Sequence, residues 1–162
     1  MLARNPRSVG AHTMLGMLFG AQNKREDAKK HYEQAIAIDQ RAAVASNNLA
    51  WLYVEDGGNL DLALQLAQSA KNILPESPEV GDTLGWIYFK KGLTGQAVDT
   101  LKDSVTKQPE RADFNYHLGL ALAKNGDARS ARQTLEKALR LDPKASEAQE
   151  ARSVLTQLPA GS

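Results

Sequence analysis

The chain of 162 residues contains no cysteine, and only 6% of its residues are aromatic. The absence of cysteine excludes disulfides, thiolate nucleophiles and cysteine metal sites, but it does not indicate a cellular compartment. No apolar run approaches the roughly 18 residues of a membrane-spanning helix, and no secretory signal peptide is visible. The formal net charge is +1, so the clustered basic charge of nucleic-acid-binding proteins is missing.

Signatures of catalysis and metal binding are also missing. The histidines His12, His31 and His117 are never three or four residues apart, so no single helix presents a histidine pair to a metal. No serine stands in a nucleophile-elbow context, and no glycine-rich loop is of the phosphate-binding kind. His117 and Asp113 form an i, i+4 pair, which is most often a surface contact. We therefore predict a protein without catalytic residues, metal site or cofactor.

One motif occurs four times in the chain. Leucine and alanine recur in register, both at spacings of 34, 35 and 34 residues: Leu15, Leu49, Leu84 and Leu118, with Ala28, Ala63, Ala97 and Ala131. Glycine or alanine follows each leucine, and a large apolar residue stands four positions after it: Phe19, Tyr53, Tyr88 and Leu122. This period is typical of helix pairs that stack on one another and present a surface rather than a catalytic cleft.

Turn and cap residues divide each repeat into two helices. In the fourth repeat the sequence predicts a helix over 112–124, a turn at Asn125-Gly126 and a second helix, capped by Asp127, that runs to about Leu141. Glycine or asparagine stands where each first helix should end in a left-handed residue: Asn23, Gly57, Gly92 and Gly126. The extra residue of the second repeat is predicted to lie in the turn over 56–59.

The predicted organisation follows from these signals. Residues 1–8 are the remnant of a preceding repeat, since Pro6 stands one period before the series Pro75, Pro109 and Pro143. Four repeats occupy 9–42, 43–77, 78–111 and 112–144, a capping helix occupies 145–158, and 159–162 is a disordered tail. We expect the chain to be a C-terminal fragment of a longer protein.

The leucine–glycine pair, the aromatic residue one turn later, the second-helix alanine and the terminal proline together resemble the tetratricopeptide repeat family, from Val9 onward. Departures are mild, such as Ser104 for an alanine and Gln40 for a proline. The resemblance implies an all-α fold, a right-handed superhelical solenoid of antiparallel helix pairs whose first helices line the concave side. It also implies a scaffold that binds a protein or peptide partner in this concave groove.

Helical geometry predicts which residues line the groove. Successive residues turn by about 100°, so the residue two positions after each leucine points away from the partner helix. These residues are all apolar: Met17, Trp51, Trp86 and Leu120. Phe89 extends this stripe, and Tyr116 is predicted to provide a hydrogen bond. Tryptophan is enriched in interface hot spots, although each tryptophan could instead be covered by a neighbouring repeat, with only its indole N–H in water.

Two asparagines adjoin the predicted stripe. Asn47 and Asn48 precede Leu49, and an amide can both donate to and accept from an extended peptide backbone. In tetratricopeptide grooves an asparagine like Asn48 commonly does this. A solvated or intrahelical amide is the alternative.

Charged residues flank the stripe in the later repeats. Glu79, Asp82 and Asp113 are predicted to form an acidic rim, with Lys90 and Lys124 on the same side of their helices. Such a groove would prefer an apolar segment with a basic residue near its middle. A solvated rim without binding function is the alternative.

The wider context has several interpretations. The strings from Asn47 to Tyr53 and from Asp82 to Tyr88 resemble bacterial tetratricopeptide proteins of envelope assembly and exopolysaccharide export. Alternatives are a substrate-recruiting arm of a larger enzyme such as a glycosyltransferase, and a module that forms homodimers through an exposed first repeat. The compartment stays open between the cytoplasm and a periplasmic or outer-membrane association through a missing N-terminal region.

Overall fold

A computed structural model of the chain describes residues 5–159. Over this range the backbone forms nine α-helices and no β-strand, which confirms the predicted all-α class. The helices are α1 (Val9–Ala21), α2 (Arg25–Ile38), α3 (Ala43–Glu55), α4 (Leu60–Ile73), α5 (Pro78–Lys90), α6 (Thr94–Lys107), α7 (Ala112–Lys124), α8 (Ala128–Leu141) and α9 (Ala148–Gln157). Parts of the predicted N-terminal remnant (1–4) and C-terminal tail (160–162) lie outside the described residues.

The first eight helices pack as consecutive pairs. The first helix of each pair begins at the first residue of a predicted repeat: Val9, Ala43, Pro78 and Ala112. Positive φ angles reverse the chain inside every pair, with values of 57° at Asn23, 63° at Gly57, 76° at Gly92 and 87° at Gly126. Only glycine and asparagine adopt this left-handed conformation readily, which explains the residue types there. The longer turn lies over 56–59, as predicted.

Side-chain caps determine where several helices begin. The side chains of Ser8, Asn59, Ser77 and Asp127 accept hydrogen bonds from backbone N–H groups of the turn that follows them. Each cap satisfies a donor that has no partner within the helix. Pro78 follows Ser77 in the first turn of α5, where its missing N–H costs nothing.

Close contacts between the two helices of a pair explain the leucine–glycine motif. Three first-helix glycines lie against the side chain sixteen residues later in the second helix, in the pairs Gly16–Tyr32, Gly85–Leu101 and Gly119–Leu135. A Cβ atom on these glycines would lie 2.4 to 2.6 Å from the opposing side chain, which is shorter than any van der Waals contact. Glycine therefore allows the two helices to approach.

The helices form two compact units, the first through Glu76 and the second from Ser77. In the first unit, α3 packs against both α2 and α1, around a core of Ala28, Tyr32, Ala35, Ala42, Ala45 and Leu49. In the second unit, α7 packs against both α6 and α5, around a core of Ala97, Val98, Leu101, Leu118, Ala121, Leu122 and Ala131. Within each unit the first helices of consecutive pairs are thus neighbours.

Helix α9 covers the last pair of the second unit. It begins at Ala148, three residues later than predicted, because the preceding residues form turns in which the Asp142 carboxylate accepts a hydrogen bond from the Lys144 backbone N–H. Ala148 and Ala151 are buried where α9 packs against α7 and α8. The position of α9 is that of a helix that closes an apolar face.

Candidate functional site

An open pocket of about 380 Å³ lies in the first unit. Helices α1, α2 and α3 and the turn after α1 form its walls, with the residues Met17, Gly20, Ala21, Asn23, Arg25, Tyr32, Asn48, Trp51, Leu52 and Glu55. Three of the predicted site residues, Met17, Asn48 and Trp51, are therefore brought to one place. They come from the first helices of two consecutive repeats.

The apolar part of the pocket is accessible to an incoming side chain. Met17 is 51% exposed, and Trp51 and Leu52 are half-buried. Gly20 and Ala21 contribute little side-chain volume, which leaves the pocket open at the end of α1. A partly exposed indole and a flexible thioether that line the same pocket are typical of surfaces that bind apolar groups.

A polar wall is formed by Tyr32 and Asn48. Burial raises the pKa of the Tyr32 hydroxyl, and a side-chain hydrogen bond with Asn48 offsets part of this rise. Tyr32 is itself held in place by its contact with Gly16. The Asn48 amide is half-buried, so it is positioned by its neighbour and remains reachable from the pocket.

The charged rim of the pocket contains a salt-bridge network. The Asp56 carboxylate pairs with Arg25 and lies 2.6 Å from Lys29 Nζ. Hydrogen bonds from Lys29 and then from Arg25 hold the pKa of Asp56 below its usual value. Because Arg25 is bound to Asp56, its charge is largely compensated. Glu55 is exposed and is the carboxylate among the lining residues.

Asn47 is placed differently from Asn48. Its side chain is buried, with 8% of the residue exposed, and it does not line the pocket. Its Oδ1 atom accepts no hydrogen bond from any residue between 5 and 159. Asn47 is therefore a buried residue of α3 rather than an accessible contact residue.

In the second unit, Trp86 is covered rather than accessible. Its indole stacks on Phe89 and His117, with centroid distances of 4.8 and 4.2 Å. The Nζ atoms of Lys90 and Lys124 lie 4.5 Å from the Trp86 centroid and 4.8 Å from the Phe89 centroid. Only 5% of Trp86 is exposed. Neighbouring side chains therefore cover this tryptophan, which is the alternative that the sequence left open. Even its Nε1 atom is buried, with no acceptor in the described part of the chain.

The remaining predicted contacts of the second unit are used inside the fold. Tyr116 and Leu120 are each 4% exposed. The Tyr116 hydroxyl donates to the Glu150 carboxylate of α9. The space between α7, α8 and α9 measures only about 10 Å³. The expectation that Tyr116 offers its hydroxyl to a partner is thus wrong, because α9 already accepts it.

The predicted acidic rim is also wrong at Asp82. This residue is 5% exposed, and both of its carboxylate oxygens lie 2.9 Å from His117 Nδ1. Burial raises the pKa of Asp82, and the charge of His117 and its hydrogen bond lower it in part. His117 therefore forms its hydrogen-bonded pair with Asp82 of the neighbouring helix, a contact that the i, i+4 spacing to Asp113 did not predict.

The partner of Asp113 is Arg111. Arg111 binds its two oxygens at 2.9 and 2.5 Å, and the same guanidinium lies 3.9 Å from Glu79. Burial raises the pKa of Asp113, but the hydrogen bond and charge of Arg111 bring it below its usual value. The rim acids thus have their own counter-ion, which leaves little reason for them to attract a basic partner.

Two histidines from different helices form a pair that their spacing in the sequence did not predict. His12 of α1 and His31 of α2 approach to 3.0 Å between their Nδ1 atoms, and His12 Nε2 lies 3.1 Å from the Pro6 carbonyl oxygen. Burial and then the proximity of His12 lower the pKa of His31. No group of three potential metal ligands exists among the described residues.

Between residues 5 and 159, every helix is too short or too polar to span a bilayer.

Comparison with known proteins identifies the fold. A family profile described as "Tetratricopeptide repeat" matches residues 13–78 and 83–155. The TPR repeat-containing protein PA4667 of Pseudomonas aeruginosa is 26% identical over 118 residues, which cover 73% of this chain but only 20% of that protein. The chain thus spans about a fifth of the length of this relative.

Solved structures show the same architecture. The structure of TTC0263, a thermophilic TPR protein of Thermus thermophilus, superposes with a TM-score of 0.73 at 23% identity, covering 93% of this chain and 81% of that one. The Pseudomonas aeruginosa pilF structure gives a TM-score of 0.71 at 20% identity, with 99% and 80% coverage. At these identities the likeness establishes the fold alone. Because the family profile covers most of the sequence, the chain belongs to the tetratricopeptide repeat family.

Proposed function

We propose that this chain is a scaffold that binds a peptide segment of a protein partner in the pocket between α1, α2 and α3. Tetratricopeptide repeat proteins are generally non-catalytic scaffolds for protein–protein interaction. The pocket is the location that we propose for this general role. The observation that supports it is the meeting of Met17, Asn48 and Trp51 around one open space.

The size and chemistry of the pocket suit part of a peptide. At about 380 Å³ it is at the small end of ligand pockets, so it accommodates one or two side chains. Met17 and Trp51 supply apolar area, while the Asn48 amide can donate to and accept from a peptide backbone. An extended segment of the partner can place an apolar side chain against Met17 and Trp51 while its backbone forms hydrogen bonds with Asn48.

The second unit is the weaker candidate because its corresponding residues are occupied. Trp86 is stacked and covered, Tyr116 is bonded to Glu150, and Leu120 is buried. A partner would have to displace these contacts before it could use them. In the first unit, Met17, Asn48 and Trp51 line an open pocket.

The test is selection of binding peptides followed by substitution at the pocket. Random peptides displayed on phage are selected on the wild-type chain, and the affinity of the best peptide is measured by fluorescence anisotropy. Trp51→Ala is expected to weaken binding by about thirty-fold, as a hot-spot substitution worth about 2 kcal/mol does. Met17→Ala and Asn48→Ala are expected to have smaller effects.

Met14→Ala is the matched control. Met14 is on the same helix as Met17 and is 62% exposed, but it does not line the pocket. Its substitution should leave peptide affinity unchanged. Equal binding by wild-type and Trp51→Ala proteins would show that the pocket is not the docking site.

A role in bacterial envelope or exopolysaccharide assembly, membership of a larger enzyme, and homodimer formation stay predictions. The relative in Pseudomonas aeruginosa is consistent with a bacterial protein.

A further inference from the structure

The contact between His12 and His31 joins α1 to α2 through one shared hydrogen. The two Nδ1 atoms lie 3.0 Å apart, at hydrogen-bond distance. His12 Nε2 lies 3.1 Å from the Pro6 carbonyl oxygen. A carbonyl oxygen only accepts hydrogen bonds, so Nε2 carries the hydrogen of neutral His12. His12 therefore accepts at Nδ1, and His31 donates from its own Nδ1.

This contact tolerates one added proton but not two. A proton that binds Nε2 of His31 leaves the donor at Nδ1 in place. Once His12 is also protonated, both Nδ1 atoms carry hydrogen, and two like charges face each other at 3.0 Å. His31 can then turn away, but His12 is only 8% exposed, and its Nδ1–H loses its acceptor. Double protonation therefore destabilises the packing of α1 on α2 in either arrangement.

Packing connects the histidine pair to the pocket of the first unit. His31 stacks on Phe19 of α1, with ring centroids 5.3 Å apart and planes within 5°. The next residue, Tyr32, is 4% exposed, lies against Gly16 of α1 and lines the pocket together with Met17. A separation of α1 from α2 at His31 thus moves two walls of the pocket apart.

The other charges around the pair are few. Helix α1 has no ionisable residue besides His12, and the charged residue of α3 is Glu55, at its last position. On α2, the Asp27 carboxylate favours protonated His31, but burial and the proximity of His12 outweigh it and lower the pKa of His31. Two cations stand in the segments before α1 and α2: Arg7 and Lys24.

We propose that His12 and His31 form a pH-sensitive switch, which holds α1 against α2 at neutral pH and releases it when both imidazoles are protonated. Acidification then separates the walls of the pocket and weakens peptide binding. This consequence rests on the proposed function, whereas the switch itself does not.

The direction of the pH dependence follows from the lowered pKa of His31. On acidification the unfolded state takes up this proton first. The stabilisation by the switch is therefore complete above the ordinary histidine pKa of 6.5 and is lost as the pH falls through the lower value of the folded state.

His31→Gln is the variant that tests the switch. A glutamine amide can donate to neutral His12 and accept from protonated His12, so the contact should persist at every pH. Lys30→Gln is the matched control, because it introduces the same residue at the adjacent, exposed position of α2 and leaves the histidine pair intact. It should respond to acid as the wild type does.

NMR of the full chain measures the switch without any peptide. At about pH 7.5, ¹⁵N–¹H spectra of the imidazoles should show hydrogen on Nε2 of His12 and on Nδ1 of His31. Gly16 lies against the Tyr32 ring, so the ring displaces the resonances of its α-protons. On titration to about pH 4.5, this displacement should be lost in the wild type and in Lys30→Gln but retained in His31→Gln.

Fluorescence anisotropy with the selected peptide measures the effect on binding. Between about pH 7.5 and about pH 4.5, affinity should fall about ten-fold more for the wild type than for His31→Gln, the factor that corresponds to one pKa unit. The peptide titrates equally in both measurements, so the difference reports the histidine pair.

The outcomes separate the switch from the proposed function. If His31→Gln loses the Gly16 displacement and the peptide affinity at the same pH as the wild type, the switch is overturned and peptide binding in the pocket stands. Hydrogen on Nδ1 of His12 at neutral pH also overturns the switch. If no peptide binds at neutral pH, the proposed function fails, and the Gly16 resonances alone decide for or against the switch.

Discussion

His117 of α7 and Asp82 of α5 form a buried contact between consecutive repeats, with Nδ1 lying 2.9 Å from both carboxylate oxygens. The side chains are only 4% and 6% exposed. The two residues are 35 positions apart, one more than the 34-residue spacing of their repeats, and their contact joins the first helices of the second unit.

We expect Asp82→Ala to lower the free energy of unfolding by about 2 kcal/mol, because it removes a buried acceptor from His117. Asp113→Ala should cost less than about 1 kcal/mol, since its pair with Arg111 is partly exposed. Urea titrations of the two variants measure the difference. If Asp113→Ala is the more damaging substitution, His117 depends on Asp113 and the contact described for α5 is not the important one.

The close approach of α7 and α8 should depend on Gly119. A Cβ atom there would lie 2.6 Å from Leu135, so Gly119→Ala should destabilise the protein by about 2 kcal/mol through overpacking. Gly95 has nothing within 4 Å of a Cβ atom, and Gly95→Ala should be neutral or stabilising by up to about 0.5 kcal/mol. Thermal unfolding of both variants gives the comparison. A Gly119→Ala protein as stable as wild type would contradict the packing role.

The Asp56 network predicts a pH dependence of stability. Its pKa is lowered by Lys29 and then Arg25, so on acidification the unfolded state takes up this proton first. The stabilisation is therefore complete above the ordinary pKa of 3.8 and is lost as the pH falls through the lower value of the folded state. The stability difference between wild type and Asp56→Asn should vanish in the same range. A difference that persists at lower pH would contradict this assignment.

The two tryptophans should respond differently to a quencher. Trp51 is half-buried beside the pocket, whereas Trp86 is 5% exposed and stacked. In the single-tryptophan variants Trp86→Phe and Trp51→Phe, acrylamide should quench Trp51 clearly more than Trp86. Equal and low quenching of both would mean that Trp51 is not accessible from the pocket.

Most of the fold could be predicted from the sequence, because the turn and cap residues mark the same helix boundaries as the repeated leucine and alanine positions. The turn residues Asn23 and Gly126 have the left-handed conformation that their types predicted, and Asp127 caps α8. The start of α9 was missed by three residues, since the Asp142 turn competes with helix formation there.

The candidate site could be predicted only in part. The position of a residue in a helix indicates the direction of its side chain, but not whether a neighbouring helix covers that side chain. Met17 and Trp51, which were selected by their position two residues after the leucine, line the pocket, but the same rule selected Trp86, which is covered. The pairing of His117 with Asp82 was not predicted, because spacings within one helix cannot indicate a contact between two different helices. In stacked repeats, contacts also occur one period apart, as between Tyr116 and Glu150.

Photo-cross-linking tests the central claim, that partners dock in the pocket of the first unit. The selected peptide, with a photoreactive residue at its centre, is irradiated with the full chain, and the attachment sites are identified by mass spectrometry. We predict attachment at or next to Met17 and Trp51, and its loss with excess unlabelled peptide. Specific attachment only to residues from Ser77 onward would contradict the account.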